Sequence, residues 1–212
     1  MSLFLGKIHY LLYNKILWFE SIEDRIIENV KDQNISIEGL IKHINEHFGA
    51  PLGNKPLEEV IDTTNIHGWL QQTIENTELR HAALITELLN WNPKYKRELI
   101  KIFAEQGKVA AKEYTKEVSA HTADAIYQAL NEYILEGMPC DRVNEVVMSS
   151  ESEFAWVTTT CLHSRNWEKV SGDVNNFYTL RESWISAFVS TLNPNYEYKK
   201  QQDGMNRIVK KA

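Results

Sequence analysis

The sequence predicts an α+β protein: a predominantly helical N-terminal part packed with a small antiparallel or mixed sheet formed by the C-terminal third. Three observations carry this. Apolar residues recur at three- and four-residue steps through the first two-thirds of the chain. Residues 153–161 are instead β-branched and aromatic with strand-like alternation. After Asn193-Pro194, two short strand-like runs flank Asp203-Gly204, a hairpin signature.

The elements follow in order. Ile8, Leu12, Ile16, Phe19, Ile26 and Val30 form one apolar stripe and predict a helix over 3–30. Ser36 opens a short second helix with Ile37, Leu40, Ile41, Ile44 and Phe48 inward, which Gly49 and Pro51 end. Residues 50–55 read as a loop. Ile66, Leu70, Ile74, Ile85 and Leu88 predict a helix over 65–89, stopped by Asn92-Pro93. Two more helices are expected over 94–118 and 120–136, before Gly137, Pro139 and Asp141 mark the passage into the mixed region. There, a strand over 153–161 leads to a helical turn over 166–170, with Asp173 as N-cap candidate for a helix from Val174 to Leu192. Its inward face reads Val174, Tyr178, Arg181, Ile185, Phe188 and Leu192, and the hairpin 196–202 and 205–211 closes the chain. The natural division is a helical region, 1–92, and an α+β region, 93–212, in one continuous domain or two.

Composition excludes several classes. The chain has 212 residues, 43% of them hydrophobic, enough for a core without staples. Its net charge is 23 − 29 = −6 with no extended basic face, which argues against nucleic acid or an anionic membrane as partner. Cys140 and Cys161 are too few for a disulfide scaffold, so a reducing cytoplasm is expected. Lys7, His9, Asn14 and Lys15 interrupt the apolar N-terminal stretch, which reads as an amphipathic helix, neither exported nor spanning, and a possible homodimer face.

The chemistry-bearing residues cluster in the last third. Cys161 stands at the end of the predicted strand and His163 two residues on, so strand alternation would put them on one side. Arg181 lies within an apolar stripe, and a buried guanidinium needs a carboxylate, carbonyls or an anionic ligand. Each residue also has a plainer reading: a small buried hydrophobe for Cys161, a loop position for His163, an internal ion pair with Glu153 or Glu182 for Arg181.

The order of Phe154 to Cys161, a turn centred on Trp167, a helix through Trp184 and Phe188, then Asn193-Pro194 and a strand ending at Asp203-Gly204 resembles the C-terminal portion of the L-2-amino-thiazoline-4-carboxylic acid hydrolase family. The resemblance covers residues 151–212. This chain departs from the family pattern at Asn175, Asn176 and Arg207, where the family carries further thiols. The resemblance implies hydrolysis of a C–N bond in a small cyclic amidine or amide bearing a carboxylate. Cys161 would then be the nucleophile and His163 its base, with Asp173 orienting His163 or a water. Arg181, Tyr178 and Trp167 would bind substrate, and no cofactor is called for.

Two other classes compete. A ligand-binding or sensing module could use the same Arg181 pocket without turnover, and six Trp and nine Tyr suit a planar ligand. A metal-binding helical protein is suggested twice. His43 to His47 matches H-x-x-E-H, the pattern of inverted zinc peptidases. Glu78 and His81 have the Glu-x-x-His spacing of di-iron bundles, without a second copy. His67 cannot join them, since eleven helical residues span about 16 Å.

Overall fold

The computed structural model describes residues 5–33, 35–201 and 204–211. The fold is α+β, with helices through the N-terminal part and a four-stranded antiparallel sheet in the C-terminal part. The chain divides into two compact units. The first comprises the described residues up to Tyr95 together with Leu135–Met138 and His163–Val174; the second comprises Lys96–Ile134, Pro139–Leu162 and the described residues from Asn175 onward. Two short segments thus return to the first unit after the chain has left it at Tyr95.

The first unit is built on helices α1 (Lys7–Asp32), α2 (Glu38–Phe48), α3 (Leu57–Val60) and α4 (Ile66–Trp91). The expected start of the first helix at residue 3 lies outside the described residues. Gly49 ends α2 at a φ of 80°, a left-handed conformation that glycine adopts without strain. The Asn65 side chain caps α4 by accepting from the Gly68 amide at 3.2 Å. Leu12, Tyr13, Ile16, Leu57, Ile61, Leu70, Ile74 and Leu135 form one buried cluster, so the returning segment Leu135–Met138 is held by apolar packing. The short helix α7 (Ser164–Lys169) also packs on α4. Every residue of α4 from Thr77 to Thr86 is buried, so its middle is surrounded on all sides.

The second unit contains α5 (Lys96–Tyr114), α6 (Ala123–Asn131), α8 (Val174–Leu192) from Asn175 onward, and strands β1 (Asn144–Ser149), β2 (Glu153–Thr158), β3 (Tyr196–Lys200) and β4 (Met205–Lys210). The strand order is β1-β2-β4-β3. Cross-strand register aligns Phe154, Ile208 and Tyr198 in one row and Trp156, Asn206 and Lys200 in the next. Tyr127 of α6 covers this face, stacked on Phe154 at 4.0 Å. Helices α5 and α8 approach closely at Gly107: a Cβ there would lie 2.4 Å from the Trp184 carbonyl oxygen. The neighbouring Trp184 indole donates to Gln106 Oε1 at 2.6 Å.

Several expectations need correction. The helix expected over 120–136 begins only at Ala123, because Thr122 caps it there, its hydroxyl accepting from the Ala125 amide at 3.4 Å, and it ends at Asn131. The strand expected to reach Cys161 stops at Thr158. Its partners run out there, since β4 begins opposite Val157 and β1 opposite Thr158. β1 itself was not expected. In the closing hairpin, Asp203 of the expected turn lies outside the described residues, while Gly204 has a φ of 84°.

Candidate functional site

The first unit buries an unusual set of charged groups. Helical stepping along α1 from Ile16 to Val30 passes through Glu20 and Glu23, which puts both acids on the stripe facing α4. Arg80 of α4 answers them. Its Nη2 donates to Glu20 Oε1, its Nε donates to Glu23 Oε2 at 3.3 Å, and its Nη1 donates to the Gly49 carbonyl at 3.3 Å. Glu20 is the better solvated acid, because the Leu52 amide at 3.0 Å and the Thr77 hydroxyl at 3.2 Å also donate to it. Glu23 Oε1 has no hydrogen-bond partner among the described residues. Burial accordingly pushes the Glu23 carboxyl up to about 8 against the opposing pull of Arg80, with Glu20 adding to the rise. Burial raises Glu20 as well, opposed by Arg80 and its other donors.

Two residues before Arg80 on α4, Glu78 meets α7. Its Oε1 lies 3.1 Å from His163 Nδ1, and its Oε2 accepts from Asn166 Nδ2 at 2.8 Å. His163 Nε2 lies 3.4 Å from Glu136 Oε1, so the imidazole stands between two carboxylates. His81 is buried beside the Phe19 ring, 4.4 Å between centroids. Burial pulls its imidazole down to about 3, helped by the charge of Arg80 and by His163. This layer unites Glu78, His81 and His163, which sequence patterns assigned to rival chemistries, with Glu20, Glu23, Arg80, Glu136 and Asn166, which they missed.

The other predicted residues divide between the units. Trp167 of α7 is 1% exposed within the first unit, and a Cβ at Gly172 would lie 2.9 Å from its ring. Asp173 is exposed directly before α8. In the second unit Cys161 is exposed, three residues beyond β2, and the Tyr178 hydroxyl donates to its Sγ at 2.9 Å. Lys200 Nζ lies over the Tyr178 ring, 5.1 Å from its centroid. The Arg181 guanidinium is half-buried over Phe177 at 5.3 Å rather than deep in an apolar stripe. The buried face of α8 runs through Phe177, Leu180, Trp184, Ile185 and Phe188. Tyr198 donates to Asn206 Oδ1 at 2.7 Å, and burial raises its phenol strongly, with Glu182 adding to this and Arg181 opposing it.

The metal patterns are placed as follows. His43 and His47 are exposed on α2, and Glu46 of the same motif pairs with Lys42 at 3.8 Å. Among the described residues no group of three or more His, Cys, Asp or Glu is arranged to hold a metal ion. Among the described residues no helix is long and apolar enough to cross a membrane. Comparison of the chain with family models, curated proteins and solved structures gives no match.

Proposed function

We propose that this chain is a small-molecule hydrolase-like protein that opens a C–N bond in a small cyclic amidine or amide bearing a carboxylate, with Cys161 as its nucleophile. The observation that carries this reading is the Tyr178 hydroxyl 2.9 Å from an exposed thiol. A hydrogen bond donated to a thiolate favours the nucleophilic form. In the proposed reaction sulfur bonds to the sp² carbon, the C–N bond breaks, and the departing nitrogen takes a proton that Tyr178 is placed to deliver. Water then adds to the same carbon and displaces the thiolate, releasing an acid from an amide substrate or an amide from an amidine, and its proton returns to Tyr178. Arg181 and Lys200 supply positive charge for the substrate carboxylate.

The reading extends to a cytoplasmic setting, supported by two exposed cysteines that form no disulfide, Cys140 and Cys161. It also includes a homodimer contact through the start of α1, where Ile8 and Tyr10 are exposed. A second reading, ligand binding without turnover, is favoured by His163, whose two ring nitrogens face Glu78 and Glu136. That leaves the Cys161 mechanism resting on Tyr178.

The test is a thiol-reagent titration of wild type, Cys161→Ser and Tyr178→Phe across pH, followed by a screen of cyclic amidines and amides. Hydrolysis predicts a fast-reacting thiol absent from Cys161→Ser and slowed in Tyr178→Phe, with turnover of at least one carboxylate-bearing compound. A Cys161 no faster than Cys140, combined with saturable binding that Arg181→Ala weakens, would replace hydrolysis with the binding reading.

A further inference from the structure

The first unit carries a pair of exposed imidazoles that the proposed function leaves unused. His43 and His47 stand one turn apart on α2, the spacing that brings side chains together on one helix face. Their ring centroids are 4.1 Å apart. Both line a cleft of about 530 Å³ whose wall also includes Phe48, Glu87, Trp91 and Lys169.

One detail of this pair is specific. His47 Nδ1 lies 2.8 Å from the His43 carbonyl oxygen. A carbonyl only accepts, so this nitrogen carries the hydrogen and donates it. In the neutral ring the lone pair is then on Nε2. Giving one ring N–H to a backbone carbonyl is how metal-ligating histidines are commonly held in one tautomer and one orientation. Neutral imidazole suits late first-row ions, whereas magnesium and calcium take oxygen ligands.

We propose that His43 and His47 form a two-ligand chelate for a late first-row divalent cation at the wall of this cleft, with solvent filling the other positions. Since no third side chain converges there among the described residues, the ion keeps open positions. An anionic ligand seated in the cleft could occupy them, with Trp91, 52% exposed, as its flat neighbour. Glu46 takes no part as a base, because it is exposed and paired with Lys42. The proposal is independent of Cys161 and stands or falls separately.

The experiment is calorimetric titration of the metal-free full chain with Zn²⁺ and, separately, Ni²⁺. Wild type, His43→Ala, His47→Ala and the control His121→Ala are compared, with circular dichroism to confirm folding. All three histidines are exposed, so the variants should fold. Expected are one ion per chain in wild type and His121→Ala, Ni²⁺ held more tightly than Zn²⁺, and affinity lowered at least about tenfold by either substitution on α2. The ion should also raise the melting temperature of wild type and not of His43→Ala. Absence of binding in wild type, or binding that survives both α2 substitutions, would overturn the proposal.

Discussion

Glu23 and His81 are buried groups held in their neutral forms, and they tie the stability of the first unit to pH in opposite directions. Glu23 releases its proton near its ordinary 4.5 when unfolded and near about 8 when folded. Between those values the folded chain holds the extra proton, so stability falls as pH rises. His81 ionises near 6.5 unfolded and about 3 folded, so there the unfolded chain holds the extra proton and stability rises with pH. Each group contributes about 1.4 kcal/mol per pH unit within its window. From 4.5 to 6.5 the two slopes cancel; below that range His81 makes stability fall toward acid, and above it Glu23 makes stability fall toward about pH 8. Chemical denaturation across pH is expected to show Glu23→Gln losing the alkaline decline and His81→Phe losing the acid one. Unchanged profiles would mean that neither group is held neutral. Part of this was legible in the sequence: stepping by three and four from Ile16 to Val30 lands on Glu20 and Glu23. Their partner was not, because Arg80 lies 60 and 57 residues away and periodicity names a face without naming what meets it.

At the scale of elements, helices were the most readable part because their stripes are long, and the errors fall where periodicity is weak or degenerate. On α8 the expected stripe through Tyr178 and Arg181 and the observed one through Phe177, Leu180 and Trp184 both converge on Ile185 and Phe188. Stepping back from Phe188 by three, to Ile185 and on to Arg181, or by four, to Trp184 and on to Leu180, is equally helical, and the larger apolar side chains took the core. β1 was unreadable for another reason: Val146, Val147 and Met148 are all exposed on an edge strand, so no alternation marks it. A helix contact gives the sharpest test here. Glycine to alanine inside a helix ordinarily stabilises by about 1 kcal/mol. At Gly107 the added methyl would stand 2.4 Å from the Trp184 carbonyl oxygen and 3.3 Å from the Phe188 amide nitrogen, backbone atoms that cannot turn aside. Gly107→Ala is therefore expected to destabilise by about 1–3 kcal/mol, measured by urea unfolding. A stabilised variant would show that α5 and α8 lie farther apart.

Over the whole molecule, the organisation that sequence could not disclose is the return of Leu135–Met138 and His163–Val174 to a unit otherwise finished by Tyr95. Gly137 and Pro139 read as a plain boundary, but Leu135 is 3% exposed in the Leu12 and Leu70 cluster, so the segment beside that boundary is core. The chemistry follows the same path. Glu78 is supplied by α4, while His163 and Asn166, which meet its two oxygens, and Glu136, which faces the other ring nitrogen of His163, come from the returning segments. A buried carboxylate without its partners carries a heavy desolvation cost, and Leu135 and Trp167 would leave voids against α1 and α4. A fragment of residues 1–95 therefore contains the helices of the first unit but not its closure. It is expected to retain helical far-ultraviolet dichroism with weak, non-cooperative thermal unfolding and little amide protection across Thr77 to Thr86, whereas the full chain protects that stretch. Cooperative unfolding of the fragment with full protection of α4 would mean that residues 1–95 are a domain in their own right. The carboxylate and imidazole layer would then be an addition to that domain instead of part of what closes it.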